Sequence, residues 1–105
     1  MGDLNPADLT IHKIVLPIMD RQSRIRTGRI ERWLTVQVQN NEIVAWYEVD
    51  LSRGGETEVE IAIVGTGNPR PMFTSSYLGT APLHGGVWHV YELAARWTPG
   101  GFDRA

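Results

Sequence analysis

Polar and apolar positions alternate with period two over much of this chain. "ERWLTVQVQ" sets Leu34, Val36 and Val38 against Thr35, Gln37 and Gln39. "EIVAWYEVD" sets Ile43, Ala45, Tyr47 and Val49 against Val44, Trp46, Glu48 and Asp50. Successive side chains of a strand point to opposite faces, so this period predicts strands with one buried face. Asn40-Asn41 stands between the two runs, and asparagine tolerates the positive φ that a two-residue hairpin turn demands. The pair reads as a β-hairpin. A third run, "EVEIAIVG", sets Val59, Ile61 and Ile63 against Glu58, Glu60 and Ala62 after the turn "LSRGGET". The three runs predict an antiparallel meander.

The rest of the chain is weaker in period but similar in kind. "TIHKIVLP" is rich in branched apolar residues and stops at Pro17, which predicts a first strand, and "QSRIR" predicts a short one before Gly28. "TGNPRPMFTSSY" carries Pro69 and Pro71 and reads as a loop, while "LGTAPLHGG" is at best a short strand broken by Pro82. "GVWHVYEL" is the last strand, with Val87, His89, Tyr91 and Leu93 on one face and Trp88, Val90 and Glu92 on the other. His89 is expected on the apolar face. No segment sustains a helical period, so little helix is expected. The expected fold is mainly β: an antiparallel β-sandwich or partly open barrel of six to seven strands. Residues 1–9 are expected to be a flexible arm, 10–93 a single β domain, and 94–105 an irregular tail.

Composition narrows the function classes. The 105 residues suit one domain, and the net charge of -2 gives none of the basic excess that nucleic-acid binders carry. The chain has no cysteine, which excludes disulfides, thiolate metal sites and thiol catalysis. No apolar run approaches the roughly 18 residues of a membrane span. "MGDLNPADLT" is too acidic and polar for a secretory signal, so the expectation is a cytoplasmic protein without a membrane partner. Of nine arginines, five lie between Arg21 and Arg32. Arginine suits interfaces and anion sites through its planar donor fork.

"VGTGNPRP", residues 64–71, opens like a nucleotide-binding loop. Such loops hold phosphate on a helix N-terminus, and Pro69 and Pro71 disfavour helix entry. Two readings remain. Gly65 and Gly67 supply the unusual backbone angles of a tight turn, or the amides of Gly65, Thr66, Gly67 and Asn68 form an anion nest beside Arg70. "LHGG" contributes His84, Gly85 and Gly86 as further ligand-contact candidates; it echoes an esterase oxyanion loop, but no GxSxG nucleophile elbow accompanies it. His12, His84 and His89 match no metal-binding spacing, so no metal and no cofactor are expected. Glu56, Glu58 and Glu60 share a face and read as the solvated side of an edge strand rather than an acid/base pair. Trp33, Trp46 and Trp88 fall opposite the expected main apolar faces. Such a face is covered either by a second sheet, as a sandwich core, or by a partner; with Arg24 and Arg26 these tryptophans are candidates for an interface between subunits or with a partner. A homodimer or larger closed assembly is expected on that ground.

"IVGTGNP" at 63–69, "YLGT" at 77–80 and "LHGGVWHVYE" at 83–92, with the opening "IHKIVLPIMDRQ", resemble a family of small bacteriophage proteins known only as a domain of unknown function. The likeness covers about residues 11–93. It implies phage or prophage origin and a role in the host cytoplasm, and no activity. A small phage protein without a catalytic set is expected to act by binding, in an anti-defence role. One target is a nucleotide-like host signal held by the glycine amides, Arg70 and His84. The alternative is a host protein masked by a Trp- and Arg-rich surface. A small hydrolase using His84 with an Asp or Glu is the enzymatic alternative.

Overall fold

The computed structural model describes residues 9–18, 22–74 and 76–99, with the side chains of 22–24 outside that description. Seven strands run in chain order: β1 (Leu9–Leu16), β2 (Gln22–Thr27), β3 (Arg29–Gln39), β4 (Glu42–Asp50), β5 (Glu56–Gly65), β6 (Ser76–Leu83) and β7 (Gly86–Thr98). All pairings are antiparallel, in a three-stranded sheet of order β1-β4-β3 and a four-stranded sheet of order β2-β5-β7-β6. The sheets do not close into a barrel, so the domain is a β-sandwich. No helix occurs among the described residues.

The β3–β4 hairpin turns on Asn40 and Asn41, both left-handed with φ of 52° and 63°. The β6–β7 hairpin uses the same device at His84 and Gly85, with φ of 54° and 76°. Gly28 alone separates β2 from β3, and there the chain passes from one sheet to the other. A side chain at that corner would place its Cβ 2.9 Å from Val49 Cγ1, so the crossing requires glycine. The expected meander stops at β4. Both sides of β4 are already paired, with β1 and β3, so β5 joins the second sheet instead. There it is a central strand between β2 and β7. Glu58 faces Arg26 and Arg96 across the ladder rather than lining an edge.

Two bulges decide which side chains enter the core. In β3 the pairing moves from Trp33 with Tyr47 to Thr35 with Trp46, leaving Leu34 as the extra residue. Trp33 therefore points to the same side as Val36, toward the core and not away from it, and Leu34 is exposed. In β7, Glu92 pairs Ile61 and Ala94 pairs Glu60, leaving Leu93 over. Val90 is fully buried and Trp88 packs on the core, so these face inward and Val87, His89 and Tyr91 face outward, the reverse of the expected assignment. β7 also continues to Thr98, so residues 94–98 are strand, not irregular tail. Pro82 does not break β6, because an edge strand has a side on which the missing N–H is not needed.

The shared core gathers Leu16, Val36, Ile43, Val59, Ile61 and Val90 between the sheets. Strand β6 approaches β3 so closely that a Cβ at Gly79 would lie 2.9 Å from Val36 Cβ. The turn after β4 is tied by Asp50, whose Oδ1 accepts from Ser52 N at 2.9 Å and Ser52 Oγ at 2.5 Å. The Ser52 hydroxyl bond, helped by the Ser52 amide and by Arg53 and Arg29, holds this carboxyl below its ordinary value, against the opposing effect of burial.

Candidate functional site

Clefts open at two ends of the sandwich. At the first, the β5–β6 loop and the β6–β7 turn meet. Thr66 N donates to Val87 O at 3.0 Å, and Asn68 N donates to Gly65 O at 3.1 Å. Gly65, Thr66, Asn68, Gly85 and Gly86 line one cleft of about 440 Å³ with Val87 and Trp88. Five residues singled out from the sequence are thus brought together. Three expected members, His84, Arg70 and Gly67, are not among them. Arg70 lines none of the clefts here; it is exposed and its guanidinium donates to the Pro71 carbonyl at 3.3 Å. Gly67 has φ of 96° and open space around it, so it serves the turn. The Thr66 amide is spent on β7 and the Asn68 amide on the loop's own closure, which takes two donors from the expected nest.

His84 opens on a neighbouring, more apolar cleft of about 490 Å³, with Leu16, Pro17, Ile18, Glu42, Leu83 and Trp88. A third, of about 410 Å³, lies between Ile18, Ile63, Pro69 and Trp88. Trp88 borders all three. Its indole N–H donates to Leu83 O at 3.0 Å. A Cβ at Gly65 or Gly86 would come within 3.3 Å or 3.2 Å of its ring. Those two glycines therefore make room for an indole, a reason the sequence pattern hides.

On the outer face of the same end, His89 is held between two threonines. Nε2 lies 2.7 Å from Thr66 Oγ1 and Nδ1 lies 3.1 Å from Thr80 Oγ1. Hydroxyls donate and accept, so either tautomer is satisfied. The Thr66–His89 distance suits a nucleophile and its base. The third group, however, is a neutral hydroxyl where an imidazolium would want a carboxylate. Of the expected interface residues, Trp46 alone among the three tryptophans faces outward, half-buried across from Lys13 and Thr35. Trp33 and Trp88 pack on the core. Arg26 is exposed; the side chain of Arg24 lies outside the described residues.

The opposite end is polar inside. Thr27 and Tyr47 share a hydroxyl–hydroxyl bond of 2.7 Å. Glu92 accepts from Trp33 Nε1 at 3.3 Å and from Ser76 Oγ at 3.1 Å. Thr57 and Trp97 face each other across β5 and β7. Thr57 Oγ1 and Trp97 Nε1 are both buried without a hydrogen-bond partner among the described residues. The Arg29 guanidinium lies 4.7 Å over the Trp97 ring. Arg29, Thr57, Glu92 and Trp97 line a cleft of about 450 Å³ with Ile30, Glu31, Arg32 and Trp33. Sequence reasoning did not find this site. The signal was present: Thr57 stands in phase with the inward Val59, Ile61 and Ile63, and Glu92 in phase with Val90.

Fold and clefts together define a two-sheet β-sandwich domain with ligand-sized openings at both ends. The chain belongs to the family described as Domain of unknown function (DUF7352), which matches it over residues 8–99. No curated protein and no solved structure matches the chain.

Proposed function

We propose that this domain is a non-catalytic binding protein of phage origin that sequesters a small nucleotide-like host signal, in an anti-defence role, at the end built around Trp88. The observation that supports this reading is the convergence of the glycine loop and the His84–Gly85 turn on one indole. That convergence makes three adjoining clefts. Each lies in the volume range of small-molecule sites, and the His84 cleft has the usual makeup of mostly apolar wall with few polar groups. In this reading a planar base lies against the wall of Leu16, Pro17, Leu83 and Trp88, and the charged part meets His84. Calorimetry of the full chain against cyclic nucleotides and NAD-derived signals tests it, with wild type compared to His84→Asn. Asparagine keeps the left-handed turn and removes the imidazole. Micromolar binding that weakens in the variant, with the ligand recovered intact, is the expected result. No heat from any ligand ends the reading, and turnover of phosphate esters would favour a hydrolase instead.

A second reading is contact with a protein, either a host protein or a second copy. It is favoured by Met72 and Phe73, which are 79% and 81% exposed on the β5–β6 loop. Size measurement by light scattering on wild type and on Met72→Ser/Phe73→Ser separates self-association from a free binding loop.

A further inference from the structure

The reading above leaves Arg29, Arg32, Trp33 and Trp97 without a role. We propose that the cleft they form with Thr57 is a second, independent site that takes the oxyanion of a small molecule, a carboxylate or a phosphate. Thr57 and Gly65 stand at opposite ends of β5, roughly 25 Å apart at the rise of an extended strand, so the two sites share no residues.

The chemistry of the wall selects the ligand. Thr57 is 4% exposed and its hydroxyl has no partner among the described residues. The Trp97 indole nitrogen is buried in the same condition, and an indole N–H only donates. Buried tryptophans usually find an acceptor. Of the two carboxylates in this cleft, Glu92 is engaged by Trp33 and Ser76, and Glu31 pairs with Arg29. Arg29 adds a guanidinium over the Trp97 ring, and its Nε pairs with Glu31 at 3.4 Å. The cleft thus presents two buried donors, unpartnered among the described residues, beside a cation, while both of its carboxylates are engaged by other groups. An oxyanion supplies an acceptor, and Arg29 matches it with parallel N–H groups. Trp33 and Ile30 offer an apolar flank to the rest of the molecule. A small organic acid and a nucleoside monophosphate both carry the required group.

The four tryptophans give four indole N–H resonances in a ¹⁵N-labelled full chain, and Trp97→Phe assigns the one that matters. Acetate, inorganic phosphate and adenosine 5′-monophosphate are titrated separately. A saturable shift of the Trp97 resonance is expected, with Arg29→Gln weakening it about tenfold. Acetate and phosphate acting alike point to a general oxyanion site; adenosine 5′-monophosphate acting alone points to a nucleotide phosphate. Thr57→Val keeps the shape of the side chain and is expected to weaken binding without lowering the melting temperature. The proposal is overturned if Trp97 stays unmoved by all three probes up to about 10 mM, the mark of no useful affinity. It is equally overturned if Arg29→Gln and Thr57→Val bind as tightly as wild type, or if Trp97 reports exchange with water alone. The Trp88 resonance follows the other end separately, so the failure of one site is distinguishable from the failure of the other.

Discussion

The two ends of the sandwich use tryptophan in opposite ways. Trp88 is a finished structural piece: its N–H is bonded to Leu83, and two glycines clear space for its ring. Trp97 is unfinished: its N–H is buried without a partner among the described residues, across the ladder from a threonine in the same state. Around Trp88 the interior is aliphatic; around Trp97 it is filled with hydroxyls, Glu92 and Arg29. Native interiors pair nearly all buried polar groups, so the second end carries a local cost that the first does not. Such a cost is what a binding site shows before its ligand arrives.

The comparison can be broken by mutation. Trp88→Ala should have the largest effect, about 3–5 kcal/mol of lost stability, because a ring wedged between three clefts and the core leaves a cavity. Urea denaturation measures it, and a loss under about 1 kcal/mol would mean the indole is a loose surface group. Gly79→Ala should follow, at about 1–3 kcal/mol, since the new methyl meets Val36 and neither edge strand can yield freely.

Two threonines on one rung give the sharpest contrast. Thr27→Val strands the buried Tyr47 hydroxyl and should cost about 1–3 kcal/mol. Thr57→Val removes a hydroxyl with no partner and should leave stability unchanged or raise it by about 1 kcal/mol. Opposite signs at neighbouring, similar substitutions are the expected result; equal losses would mean that Thr57 is already satisfied. The smallest effect concerns acid. The folded Asp50 carboxyl sits below its ordinary value of 3.8, so its contribution is complete above that pH and is lost as pH falls through the lower folded value. Asp50→Asn should flatten that acid limb of stability against pH, measured by thermal melting from neutral to low pH.

Much of the first end was legible. The Gly65–Asn68 loop and the His84–Gly86 turn stand out as turn-formers, and the structure brings them together. Arg70 lies outside these clefts, because closeness in sequence says little about where a long side chain in a proline-bound loop points. The second end was legible only in the phase of Thr57 and Glu92. It depends on Trp97, which continues β7 beyond a bulge, and on Arg29, which follows a sheet-crossing glycine. Neither feature has a periodic signature.

By itself, the sequence determined the β class, the first hairpin and most of the strands. These depend on local rules: side chains alternate every residue, and asparagine and glycine accept the left-handed turn. Only the tertiary structure decided which face of each strand is buried and which sheet it joins. One extra residue at Leu34 or Leu93 puts the residues on its two sides out of phase with each other. A strand such as β4, with both sides already paired, sends the next strand elsewhere. Both outcomes are set by contacts between residues far apart in the chain, and period counting cannot see them.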